Sequence, residues 1–142
     1  FDDNAKMLAE RGHEFGTTTG RKRRCGWMDL PLLKYTGKAS NITSIALTKL
    51  DVLCGLEDLK YCYAYNYEGR EIDCAYPGID LAKVEPLYRE LKTFHDDFKT
   101  DQLSAPLKEY IQTIEDFIGI PVGILAYGPE RSEIQFCKEY LH

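Results

Sequence analysis

A short stretch of the sequence, residues 16–26, carries three consecutive threonines and then four consecutive cations, with glycines at positions 16, 20 and 26. Threonine hydroxyls and free backbone N–H groups can hydrogen-bond an anion, and an arginine guanidinium can bind a carboxylate or phosphate with two parallel hydrogen bonds. The glycines permit positive φ angles and the close approach of a ligand. The pattern therefore predicts an anion-binding loop that consists of Thr17, Thr18, Thr19, Gly20, Arg21, Lys22 and Arg23.

The cations at positions 21–24 also allow other interpretations. They could form a nuclear-localisation-type patch, contact nucleic acid or lie in a solvated turn. The 142 residues carry a net charge of −5, which argues against a general nucleic-acid or anionic-membrane partner, so the basic stretch must act locally. We expect no nucleic-acid partner and no membrane partner. We also expect the loop to be mobile, because no large apolar side chain anchors it.

A second stretch of chemical interest, Thr48-Lys49-Leu50-Asp51, follows an apolar run at residues 42–48. In GTP-binding proteins, an Asn/Thr-Lys-x-Asp segment at the end of a strand reads guanine. The aspartate accepts hydrogen bonds from N1–H and from the exocyclic amino group, and adenine lacks this pair of donors. The lysine stem packs along the base and adds a cation–π attraction. A strand end followed by a salt-bridged lysine and aspartate is the structural alternative.

These two stretches and a third, Tyr127-Gly128-Pro129-Glu130-Arg131, resemble adenylosuccinate synthetase in order and spacing. Residues 69–71 and 84–88 add to a similarity that covers essentially the whole chain. The resemblance implies a single domain, residues 1–142, from the C-terminal third of that enzyme. The implied fold class is α/β, the C-terminal part of a P-loop-NTPase-like fold with a mixed sheet and flanking helices. The family's glycine-rich phosphate loop, catalytic aspartate and histidine and Mg²⁺ ligand have no counterpart in these residues. We therefore assign no catalytic or metal-binding residue here, and expect no synthetase activity from the fragment alone.

The activity that the resemblance implies is a GTP-dependent ligation in AMP biosynthesis. IMP and L-aspartate are joined to adenylosuccinate, and GDP and phosphate are released. The γ-phosphate of GTP moves first to O6 of IMP, with Mg²⁺ neutralising the transferring charge, and the aspartate amino group then displaces it. The family is cytoplasmic and homodimeric.

The same resemblance assigns roles to individual residues. Residues 17–23 match the loop that binds aspartate and IMP; Arg21 would also bind IMP, and Arg23 would also reach GTP. The residues that would contact GTP at its guanine end are Lys49, Leu50, Asp51, Ala126, Tyr127 and Gly128. A serine often stands at the position of Ala126, so the alanine removes one hydroxyl.

Two other functions fit the residues alone. One is a non-catalytic guanine-nucleotide-binding module that uses residues 48–51. The other is a nucleic-acid or protein interaction domain that uses residues 21–24, for which salt-sensitive binding to polyanions is expected.

The secondary structure that must position these stretches is predicted from periodicity and capping signals. We predict helices at residues 2–11, capped by Asp2 or Asp3, at 29–37, within 80–98 and at 104–118. We predict strands at residues 42–48, 59–67 and 120–126, with a hairpin turn at 68–69. In the second helix, Asp29 is the N-cap, Leu30, Leu33 and Tyr35 or Ala39 form the buried side, and Gly37 weakens or ends the helix.

Two side-chain patterns invite a functional interpretation that we do not favour. Tyr61, Tyr63, Tyr65 and Tyr67 alternate along one strand and should share a face, where sheet packing is favoured over base stacking. The triplet His95-Asp96-Asp97 is expected to be a solvated turn and not a metal site. The five scattered cysteines indicate reduced thiols.

Overall fold

The computed structural model describes residues 3–98, 100 and 102–137. The helices are α1 (Asp3–Arg11), α2 (Leu30–Ala39), α3 (Leu50–Leu53) and α4 (Ala105–Ile118), and a 3₁₀ turn lies at Leu81–Lys83. The strands are β1 (Met28–Asp29), β2 (Ile45–Leu47), β3 (Lys60–Tyr67), β4 (Arg70–Ile72), β5 (Val84–Glu90), β6 (Val122–Ala126) and β7 (Ile134–Phe136). The first predicted helix is confirmed from residue 3, and its possible cap Asp2 lies outside the described residues. No helix of the described part is long and apolar enough to span a bilayer.

The strands form two mixed sheets. In the first sheet, β5 pairs antiparallel along one edge of β3, while β1 (parallel) and β4 (antiparallel) share the other edge. In the second sheet, β6 lies between β2, which is parallel to it, and β7, which is antiparallel. Helix α2 packs against α4 and β3. The α/β class with a mixed sheet and flanking helices is thus confirmed, with the strands divided between two sheets.

The helix predicted within residues 80–98 is wrong, because this segment forms the 3₁₀ turn and strand β5. The apolar side chains Val84 and Leu87 fit helical spacing, but in the folded chain they lie against β3, which offers a complete row of backbone partners. Pro86 pairs with Tyr65 and is tolerated because β5 is an edge strand, where a missing N–H leaves no neighbouring strand unpaired.

The tyrosines of β3 do not share one face as predicted. The pairing of β3 with β5 shifts register between Cys62 and Ala64, which places a bulge at Tyr63. Tyr61 therefore packs in the main core, whereas Tyr65 packs with Cys62 in a smaller cluster. The strand itself and its hairpin at residues 68–69 are confirmed, since both turn residues have the positive φ of a two-residue hairpin turn.

Helix α2 begins as predicted but ends later. The backbone N–H of Leu32 donates to Asp29 Oδ1 at 3.0 Å, which confirms the N-cap. The buried hydroxyl of Tyr65 donates to both oxygens of the same carboxylate, at 2.6 and 2.7 Å. Gly37 neither ends nor breaks the helix. It is buried, and a Cβ at this position would lie 2.6 Å from Ile120 Cδ1. The expected buried residue Leu33 is exposed.

Helix α4 and its caps are confirmed. Ser104 Oγ accepts the N–H of Leu107 at 3.3 Å, and Gly119 ends the helix with a φ of 70°. Asp96 accepts both the backbone N–H and the hydroxyl of Ser104, each at 2.7 Å. Residues 95–97 form an irregular segment and not the predicted solvated turn, and Asp96 fixes the start of α4.

The predicted strands at residues 42–48 and 120–126 are shorter in the structure. Residues 42–44 are exposed and precede β2, and β6 begins at Val122. Each of these two short strands leads directly into a stretch that the sequence analysis singles out.

Candidate functional site

The predicted anion-binding loop forms a narrow turn that backbone hydrogen bonds close. The N–H of Gly16 donates to the carbonyl of Arg21 at 2.8 Å, and that of Arg23 donates to the carbonyl of Glu14 at 2.9 Å. Phe15 and Lys22 form an isolated antiparallel bridge. Of the three glycines, only Gly20 has a positive φ, 63°, and so uses the backbone freedom that glycine permits. These backbone hydrogen bonds anchor the loop in a way that the sequence does not reveal. That the loop is mobile stays a prediction.

The loop presents its predicted ligand-binding groups to solvent. Its exposed residues are Thr17, Thr18, Thr19, Gly20, Arg21, Lys22 and Arg23. The backbone N–H of Arg21 donates to Thr19 Oγ1 at 3.4 Å, which ties the turn to its own side chain. The exposed hydroxyls and guanidinium groups are thus placed where they could bind an anion.

The second stretch, residues 48–51, turns sharply at the end of β2. Lys49 has a left-handed φ of 62° and directly precedes α3. The side chain of Leu50 is fully buried, so Leu50 could contact a ligand only through its backbone, whereas Asp51 is exposed. Arg11 donates to the carbonyl oxygens of Asp51 and Cys54 and holds this turn against α1. The buried leucine and Arg11 together fix the turn that carries the aspartate.

The third stretch, residues 126–128, lies at the carboxyl end of β6, at the same end of the second sheet at which residues 48–51 follow β2. Strands β2 and β6 are parallel, with Leu47 opposite Leu125, so the residues that follow both strands lie side by side at their carboxyl ends. In parallel sheets this edge is where ligands bind. The structure therefore brings together the two stretches for which the resemblance implies contact with guanine.

Tyr127 and Gly128 are held by local packing. The ring of Tyr127 stacks on that of Phe98, with centroids 4.8 Å apart and planes 7° apart. The Glu133 carboxylate occupies the space where a Cβ on Gly128 would lie, so a larger residue could not be accommodated without displacing it. The backbone N–H of Tyr127 donates to the carbonyl of Glu133 at 3.1 Å. Ring stacking, a backbone hydrogen bond and the missing side chain of Gly128 therefore set the shape of this stretch.

An acidic residue, Glu14, connects the anion-binding loop to the guanine stretch. Its Oε1 lies 2.6 Å from Lys49 Nζ, and its Oε2 lies 3.2 Å from Arg23 NH1. Lys49 Nζ also donates to the carbonyl of Gly12 at 2.6 Å. The Lys49 ammonium, together with Arg23, lowers the pKa of Glu14. Sequence reasoning missed Glu14 and Arg11, since an acidic or basic residue beside a loop carries no signal until its partner is known.

A cavity of about 590 Å³ lies beside this ion-paired group. Glu14, Arg23 and Lys49 line it, together with apolar side chains that include Trp27 and Leu33. Its volume is typical of a small-molecule site. The lining does not include Asp51, residues 126–128 or the threonines of the loop. The cavity therefore joins only part of the predicted site.

The Mg²⁺ that the resemblance implies would have its ligands outside these residues. Among the described residues, no group of three or more His, Cys, Asp or Glu side chains is arranged to hold a metal ion. Where the Mg²⁺ ligands lie stays a prediction.

Comparison with known proteins gives a consistent result. A sequence model of the adenylosuccinate synthetase family matches residues 1–135. Adenylosuccinate synthetases from Francisella tularensis subsp. novicida (strain U112) and subsp. mediasiatica (strain FSC147) are 56% identical to this chain over 142 residues, covering 99% of this chain and 33% of theirs. A solved structure, of fully ligated adenylosuccinate synthetase from Plasmodium falciparum, matches with a TM-score of 0.86 and 35% identity, covering 96% of this chain and 34% of that one. The chain thus spans about a third of the length of these relatives.

Proposed function

Because the chain belongs to the adenylosuccinate synthetase family, we propose that it carries the guanine-reading and aspartate-binding parts of a GTP-dependent ligase. The whole protein would join IMP and L-aspartate to form adenylosuccinate and release GDP and phosphate, as a cytoplasmic homodimer that requires Mg²⁺.

The observation that carries this proposal is the position of two stretches at one sheet edge. Residues 48–51 follow β2 and residues 126–128 follow β6, and the two strands are parallel neighbours. A guanine base held at this edge would meet the exposed Asp51 carboxylate, which accepts from N1–H and the exocyclic amino group. Adenine offers no such pair of donors, so the contact would select guanine.

The other residues would contact guanine by packing or through backbone groups. The Lys49 ammonium is bound to Glu14 and to the Gly12 carbonyl, which leaves its methylene stem to pack on the base. Leu50, Ala126, Tyr127 and Gly128 would contribute backbone groups or shape, since Leu50 is buried and Ala126 has no hydroxyl. Specificity for guanine would therefore rest mainly on Asp51.

The loop at residues 17–23 would bind the anions that react. Thr18 and Thr19 offer exposed hydroxyls to the carboxylates of aspartate, Arg21 would pair with a carboxylate and reach IMP, and Arg23 would serve the aspartate and GTP side. Phosphoryl transfer to IMP and attack by aspartate both place anions side by side. Preorganised cations and hydroxyls stabilise such an arrangement.

Calorimetric titration tests the guanine assignment. The wild-type chain should bind GDP in preference to ADP, and the variant Asp51→Asn should lose affinity for GDP and gain affinity for XDP, because the asparagine amide turns one acceptor into a donor. Asp58→Asn, at an exposed position of another turn, should leave both affinities unchanged. Equal binding of GDP and ADP by the wild type, or an unchanged preference in Asp51→Asn, would contradict the assignment. If GDP binds but neither L-aspartate nor IMP affects residues 17–23, a non-catalytic guanine-nucleotide-binding module would be favoured.

A further inference from the structure

The two predicted binding stretches share one carboxylate. Glu14 connects them: it lies three residues before the loop at residues 17–23, and its two oxygens contact different cations. Oε1 binds Lys49, from the guanine stretch, and Oε2 binds Arg23, from the anion-binding loop. The Glu14 side chain is only 20% exposed, while Lys49 and Arg23 are 49% and 61% exposed. A single partly buried anion therefore holds two more exposed cations that belong to different stretches.

Glu14 holds the loop through its backbone as well. The Arg23 N–H donates to the Glu14 carbonyl at 2.9 Å, so the same residue pair is joined by a main-chain and a side-chain contact. On the other side, the Lys49 ammonium has a second acceptor in the carbonyl of Gly12, two residues before Glu14. Lys49 is thus fixed to the base of the loop, and its left-handed backbone places α3 next to it.

We propose that Glu14 is a positioning residue that couples the loop at residues 17–23 to Lys49. The identity of the ligands that bind at the coupled site rests on the proposed function, whereas the coupling itself rests only on the contacts of Glu14 with Arg23 and Lys49. Glu14 fixes the Lys49 ammonium so that its stem lies ready for the base, and the same carboxylate sets the position of Arg23.

Binding at one stretch then affects the other. A ligand carboxylate or phosphate that takes the Arg23 guanidinium removes it from Glu14 Oε2. The Glu14 carboxylate is then left to Lys49 alone, and the contact between them strengthens because one competing cation has gone. Occupation of the loop thereby tightens the hold on the lysine of the guanine stretch.

Site-resolved amide hydrogen exchange on the ligand-free chain tests the coupling. The amides of Gly16, Gly20 and Arg23 report on the loop, because each donates to a backbone carbonyl within it or at its base. Lys49→Met, which keeps the stem and removes the charge, leaves Glu14 to Arg23 alone and should lower exchange at these amides by roughly two- to fivefold, the range given by exposed ion pairs. The effect should disappear in a Glu14→Gln background, since the connecting charge is already lost. Lys108→Met, at an exposed position of α4, should not change exchange in the loop.

Two results would overturn the coupling: unchanged or raised loop exchange in Lys49→Met, or an equal change with and without the Glu14 carboxylate. If Glu14→Gln does not fold, Glu14→Asp takes its place, because a carboxylate that is one methylene shorter cannot bridge both cations. Titration with GDP separates this inference from the proposed function. Intact coupling without GDP binding would count against the guanine assignment alone, and GDP binding without coupling would count against Glu14 alone.

Discussion

At the scale of single residues, the charge of Glu14 is set by its neighbours. Hydrogen bonding to Lys49 is the main cause that lowers its pKa, and the charges of Lys49 and Arg23 act in the same direction, while burial opposes them. The folded chain therefore holds Glu14 ionised at lower pH than the unfolded chain does. Its contribution to stability is fully present above the unfolded value of 4.5 and is lost as the pH falls through the lower, folded pKa.

This sign leads to a testable pH dependence. Glu14→Gln should lower the free energy of unfolding at neutral pH by up to about 1 kcal/mol, the size expected of a partly exposed ion pair. The difference from wild type should shrink as the pH falls below 4.5, because the wild-type carboxyl is then protonated as well. Urea denaturation over a pH series measures it, with Glu10→Gln on the exposed side of α1 as control. A difference that stays constant across the series would show that charge is not the cause.

At the scale of elements, the start of α4 depends on a pair of residues from two segments. Ser104 caps the helix through Leu107, and Asp96 binds the N–H and hydroxyl of that serine. The two side chains act on the same helix end, so their contributions should not be additive.

We expect Ser104→Ala to lower the free energy of unfolding by about 1 kcal/mol, as is usual for an N-cap. Asp96→Ala should be destabilising too, and the double variant should lose less than the two single variants together, since both remove the same hydroxyl–carboxylate contact. Chemical denaturation of the four proteins gives the coupling energy. Ser132→Ala, at an exposed turn position, should be neutral, and strict additivity of the two losses would show that Asp96 does not act through Ser104.

The elements that sequence reasoning predicted correctly are those whose signals are local. The caps of α2 and α4 and the hairpin at residues 68–69 each depend on residues within one turn, and all are confirmed. The conformation of strand β5 is decided by its pairing with β3, which lies about 20 residues away in sequence. Local spacing does not contain this information and therefore predicts a helix. The bulge at Tyr63, which splits the tyrosines between two clusters, also arises from this pairing.

The candidate site likewise combines stretches that can be identified in the sequence with an arrangement that depends on residues far apart in the chain. Residue type and spacing mark the stretches at residues 17–23 and 48–51, whereas residues 126–128 are assigned by the resemblance to the family. Their arrangement is not marked in the sequence, because the meeting of residues 48–51 with 126–128 depends on the parallel pairing of β2 and β6. Glu14 and Arg11 act through partners about 35 and 40 residues away, so no local pattern marks them.

At the scale of the whole molecule, one core joins the two sheets. The buried cluster contains Tyr61 from the first sheet, Leu125 from the second, Leu107 from α4 and Phe94 from the segment before it. Phe94 is 1% exposed, and its ring stacks with that of Tyr110 at a centroid distance of 6.3 Å. Because both sheets contribute to the same cluster, neither can lose its packing without exposing apolar surface of the other, and we expect them to unfold together.

Phe94→Ala tests this shared core. Loss of a fully buried phenylalanine should lower the free energy of unfolding by about 3–5 kcal/mol, and Phe94→Leu, which keeps most of the buried apolar volume, should cost less. The single tryptophan, Trp27, lies just before the first sheet and reports on it by fluorescence, while far-ultraviolet circular dichroism reports on all elements. In the wild type and in both variants, the two signals should give the same midpoint in urea. A tryptophan transition that separates from the circular dichroism transition, or one that Phe94→Ala shifts alone, would mean that the sheets unfold as independent units and that Phe94 stabilises only the first.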